Sequence, residues 1–144
     1  MKQYIGTKII KAKPMSRGEY NIYRGWTIPV DEDPADEGYL VKYSDDYVSW
    51  SPKDVFEEAY RSCDCMTFGL ALEALKKGWK VARKGWNGKG MYLFLADGDD
   101  LTNCLSNGDF KCTSSICMKT AQDNVVIGWL ASQTDMLSED WVIC

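Results

Sequence analysis

Histidine is absent from this chain, proline occurs only four times, and no apolar run approaches the ~20 residues that span a bilayer. The missing histidine and the missing long apolar run each remove a class of function. Without histidine the commonest general base near neutral pH is missing, and so is the base of most serine and cysteine nucleophile systems; Asp, Glu, Lys and Tyr remain. Zinc loses its usual nitrogen ligand, and the six cysteines, at 63, 65, 104, 112, 117 and 144, match no zinc spacing. Cys63 and Cys65 stand one residue apart, too close for the two-residue metal knuckle. The expectation is therefore free thiols in a reducing compartment, with no metal and no cofactor. The opening MKQYIGTKII is broken by Gly, Thr and Lys before a signal-type apolar core forms, so the protein is expected to stay where it is made. An excess of positive charge is lacking too. A net charge of −4 and a pI near 4.8 argue against a DNA or RNA polymer as partner, because such binding rests on neutralising phosphate.

What is present reads as globular. Hydrophobic residues make up 45% and charged residues 26% of 144 positions, enough for one ordinary domain or two very small ones. Between Asp31 and Asp64 acids greatly outnumber bases, whereas Lys76, Lys77, Lys80, Arg83, Lys84 and Lys89 fall in a stretch without Asp or Glu. The change of sign predicts two modules, 1–62 and 66–144, joined at SCDCM.

In the first module residues 4–12 read as a strand. Ser16 and Glu19 form a capping box for a short helix ending near Gly25. After the acidic loop DEDPADEG come strands over 39–43 and 47–51, then a helix capped by Ser51 with Pro52 in its first turn. Trp26 and Trp50 are expected in the core of this small α+β unit. The second module opens with Thr67 capping a helix over 68–77 that ends at Gly78. Strands follow over 79–84, 91–96, 115–119, 125–130 and 141–143, the second of them central, and 97–114 reads as a polar loop or hairpin insertion. The fold class is α+β, one helix packed on an antiparallel sheet, with Trp129 and Trp141 in core or interface.

The run RKGWNGKG, residues 83–90, concentrates chemistry. Glycines at 85, 88 and 90 let the backbone turn close to a partner, Trp86 offers a stacking face, and Lys84 and Lys89 bring charge for phosphate. A surface hairpin with a half-buried tryptophan and solvated lysines is the alternative.

In order, MTFGLALEALKKGWKVARKGWNGKGMYLFL and ICMKTAQDNVVIGWLASQTDMLSEDWVI resemble the bacteriophage Thoeris anti-defence family of the second type, over residues 66–143. The resemblance implies a cyclic-nucleotide sponge in the cytoplasm of the infected bacterium. Such a protein binds the glycocyclic ADP-ribose signal of a TIR-domain sensor, in some relatives cyclic di- or trinucleotides, without cleaving it. It also implies homo-oligomers, here a dimer or tetramer, with ligand pockets between protomers.

A cyclic ADP-ribose derivative needs a stacking face, hydroxyl partners and cations. Trp86 is the expected stacking residue. Asn87 suits a base edge or ribose but also forms a turn before Gly. Arg83, Lys84, Lys89 and Lys119 are the phosphate candidates. Ser132, Gln133, Thr134 and Asp135 suit ribose recognition, or the capping of a helical turn leading to Met136. Two other functions stand beside the sponge: a nucleotide-processing enzyme using Asp135 or Asp140 as acid or base, and a phage protein-interaction module.

Overall fold

In the computed structural model, which describes residues 1–144, the chain divides into two units, Met1–Arg61 and Ser62–Cys144. In the first, β1 (Lys11–Pro14), β2 (Gly38–Lys42) and β3 (Val48–Pro52) form an antiparallel sheet in that order, with helices α1 (Arg17–Arg24) and α2 (Lys53–Ala59). The Ser16–Glu19 capping box is present, and Gly25 closes α1 at φ 70°, a left-handed angle that glycine adopts without a Cβ clash. Other details depart from expectation. The expected strand over 4–12 overlaps the observed one only at Lys11 and Ala12: residues 4–10 have no strand partner, and β1 runs on to Pro14, with Lys11 opposite Lys42 and Pro14 opposite Tyr39. Ser51 stays in β3, where it pairs with Tyr39, so α2 starts after Pro52 with no side-chain cap. Trp50 is half-buried, its indole N–H donating to the Met15 carbonyl at 2.8 Å, whereas Trp26 is half exposed and not core.

The second unit contains α3 (Phe68–Lys76), β4 (Val81–Arg83), β5 (Tyr92–Ala96), α4 (Gly98–Leu105), β6 (Ser115–Lys119), β7 (Val125–Ile127), α5 (Gln133–Leu137) and β8 (Trp141–Ile143). Its antiparallel sheet runs β7-β6-β5-β4-β8, so β5 is central as its unbroken apolar sequence predicts. Thr67 accepts from the Leu70 N–H, and α3 lays Ala71, Ala74 and Leu75 on Val81, Leu93 and Trp141 to form the core with Met66.

Three expectations change in this unit. The strand over 79–84 shrinks to β4, because the Trp79 N–H returns to the Ala74 carbonyl to close α3, leaving the Trp79 side chain 47% exposed. The strand over 125–130 stops at Ile127, before Gly128 turns at φ 82°. Part of the predicted loop 97–114 is helix α4: the Asp97 carboxylate caps it, accepting from the Asp99 and Asp100 N–H groups at 2.8 and 3.4 Å.

Candidate functional site

Strand periodicity places Arg83 on the same side of β4 as fully buried Val81, with Trp141 of β8 opposite it. A guanidinium so placed, its side chain 12% exposed, needs partners, and two carboxylates supply them. Arg83 Nε donates to Asp140 Oδ1 at 2.8 Å, and Nη1 donates to Asp135 Oδ1 at 2.8 Å. Asp140 Oδ2 also accepts the Gly85 N–H at 2.8 Å, which fixes the start of the glycine-rich loop. A Cβ at Gly85 would lie 2.9 Å from that oxygen, so the bare backbone here serves the approach.

Asp135 is the second hub. It sits in the first turn of α5, where Ser132 caps the helix and donates its hydroxyl to Asp135 Oδ2 at 2.7 Å, while the Asp135 N–H returns to Ser132 Oγ at 3.1 Å. Asp135 Oδ1 also accepts the Trp86 indole N–H at 3.2 Å, and the Asp135 carbonyl accepts the Trp141 indole N–H at 2.9 Å. Burial pushes the Asp135 carboxyl up, but the bonds from Arg83, Ser132 and Trp86 outweigh it and bring its pKa to about 2. The Arg83 bond, with the Gly85 N–H beside it, likewise holds Asp140 below its usual range. Both carboxylates are therefore charged and weakly basic near neutrality.

Trp86 is wedged rather than displayed. Its ring meets Trp141 edge-on at 5.5 Å and Trp129 at 6.1 Å, and it packs on the core while keeping part of its surface open. Only part of the stacking face expected of Trp86 stays open, because the loop folds back on residues from the other end of the unit. The two predicted clusters, 83–90 and 132–135, do meet, through Arg83, Trp86, Ser132 and Asp135. The polar atoms by which Arg83 was expected to meet phosphate and Asp135 to meet ribose are engaged with each other. Lys84, Asn87, Lys89, Gln133 and Thr134 are exposed beside this network. Lys119 stands at the loop's far end, donating to the Gly90 carbonyl at 3.3 Å and paired with Asp123 at 2.5 Å.

Sequence reasoning missed Asp140 as a loop anchor. No local signal marks it, since its partners Arg83 and Gly85 lie 57 and 55 residues away. No group of three or more His, Cys, Asp or Glu side chains comes together in a metal-binding arrangement.

Residues 66–144, more than half of the chain and all of this network, match the Thoeris anti-defence 2-like domain. The chain belongs to the Thoeris anti-defence 2-like family. It is 46% identical over 84 residues to Thoeris anti-defense 2 of Bacillus phage SP01, an alignment covering 54% of this chain and 93% of that relative. A role in anti-defence follows from this membership. The clasped segments, GWNG with its flanks and SQTDMLSEDW, lie inside the matched region.

Proposed function

We propose that the domain over residues 66–144 binds a cyclic nucleotide immune signal in the host cytoplasm and holds it uncleaved, which keeps the defence effector inactive. Glycocyclic ADP-ribose is the favoured ligand, with cyclic di- or trinucleotides as further candidates. The observation that carries this reading is the Arg83 clasp: it joins a cationic, glycine-rich loop to a hydroxyl-bearing helix start and leaves their outward side chains free. In this assignment the open part of Trp86 stacks on adenine, Lys84 and Lys89 face the pyrophosphate, and Asn87, Gln133 and Thr134 meet ribose hydroxyls. Arg83, Ser132 and Asp135 keep that surface in shape, and Lys119 steadies the loop end through Gly90.

The clasp also weighs against catalysis by Asp135 or Asp140. A carboxyl held at about pKa 2 carries no proton to donate at neutral pH and accepts one poorly. Binding without turnover is tested by loading the whole protein with glycocyclic ADP-ribose, heating it, and analysing what is released by mass spectrometry. The intact cycle is expected; linear ADP-ribose would overturn the proposal.

A further inference from the structure

The Met1–Arg61 unit is poor in core and rich in uncovered apolar surface. Among its large apolar side chains only Tyr20 and Val41 are buried, at 4% and 1% exposure, in a size class where a lone core is marginal. Ile22, Tyr23, Trp26, Ile28 and Val30, on α1 and the chain after it, all remain exposed. So do Tyr4 and Ile5, at 88% and 97%, on the ten-residue arm that precedes β1 and forms no secondary structure.

Charge matches the two surfaces. The arm carries Lys2 and Lys8, and no acid occurs before Glu19. The loop from Asp31 to Glu37 holds five acids and no base; Glu32 is taken by Arg17 and Glu37 by Lys53, leaving Asp31, Asp33 and Asp36 without a cation. That loop is strapped to the start of α1 by the Gly18 N–H on the Pro34 carbonyl at 3.0 Å and the Arg17 N–H on the Asp36 carbonyl at 2.8 Å.

Topology points the arm away from its own loop. It leaves β1 beside Lys42, at the end of the sheet where Lys8 lies 5.4 Å from the Tyr43 ring. The acidic loop joins the opposite end, where the Met15 N–H meets the Gly38 carbonyl. We infer that the arm of one copy packs on α1 and the acidic loop of a second copy, reciprocally, so that Met1–Arg61 is a homotypic pairing module. Exchange of identical segments closes as a two-fold dimer and covers both apolar surfaces at once. The SP01 relative aligns over 93% of its own length with 54% of this chain, which leaves too short a remainder for a counterpart of the Met1–Arg61 unit.

The test mixes equal amounts of unlabelled and 15N-labelled full-length protein, allows exchange, and applies a zero-length carbodiimide crosslinker. Crosslinks from Lys2 or Lys8 to Asp31, Asp33 or Asp36 should contain as many mixed-isotope as same-isotope pairs. The double variant Tyr4→Asp, Ile5→Asp alters two exposed side chains and should lower those crosslinks by about tenfold, through lost burial and added like charge, with melting of the Ser62–Cys144 unit unchanged. Exclusively same-isotope crosslinks would show the arm on its own unit and overturn the inference. Absence of arm-to-loop crosslinks, or a double variant that crosslinks as the parent does, would overturn it equally.

Discussion

Arg83 carries two carboxylates that have no other cation, so its loss leaves charges stranded in a partly closed site. Arg83→Ala is expected to cost about 3–5 kcal/mol, measured as a shift in urea midpoint. Arg83→Lys should restore only a minor part, because one ammonium cannot reproduce a planar fork that reaches both acids. Asp135 contributes to the acid limb of stability. Its folded pKa lies below its ordinary 3.8, so it stabilises above that value and loses its contribution as pH falls toward about 2. Melting midpoints should fall through this window, and Asp135→Asn should flatten a slope worth about 2 kcal/mol. The tryptophans separate in the same way. Trp86→Ala should destabilise by about 3 kcal/mol as well as weaken ligand binding, whereas half-exposed Trp79→Ala should cost under about 1 kcal/mol.

At the scale of elements, the β4–β5 loop divides into an anchored part and a presented part. Gly85 is tied to Asp140, and Gly88 is packed so closely that a Cβ there would fall 2.0 Å from Met91 Sδ, while Asn87 and Lys89 point outward. Asn87→Ala and Lys89→Ala are therefore expected to leave the melt unchanged and, under the proposed sponge function, to weaken ligand binding about tenfold each in a calorimetric titration. Equal affinity in both variants would move the pocket elsewhere. The Asp97 cap holds the Asp99 and Asp100 N–H groups at the start of helix α4, so Asp97→Ala should cost about 1 kcal/mol by thermal denaturation.

For the whole molecule, both units leave apolar surface that one copy does not cover. In the second unit the edge strand β7 exposes Val125, Val126 and Ile127, an apolar edge of the kind that proteins pair or shield. Under the dimer or tetramer that the family resemblance implies, the full chain runs in light scattering at twice or four times its 16.3 kDa mass. A monomer binding ligand at full strength would contradict it.

What the sequence alone determined is what neighbours within about four residues decide. The Ser16, Thr67 and Ser132 caps, the left-handed glycines at 25 and 78, and the central place of the apolar β5 follow from local hydrogen bonds and patterning. The ordered motifs of residues 66–143 likewise sufficed for the family. Tertiary structure decided the partners of charge and the covering of rings. Arg83 reads as a free cation in RKGWNGKG, and Trp86 as an open platform, because Asp135, Asp140, Trp129 and Trp141 lie more than 40 residues on. Strand 79–84 shortened because the Trp79 N–H closes α3 instead, and residues 4–10 stay out of the first sheet because β2 pairs only with Lys11–Pro14. A local pattern specifies which backbone groups can pair nearby, but an ion pair or an aromatic cluster forms only where the chain returns.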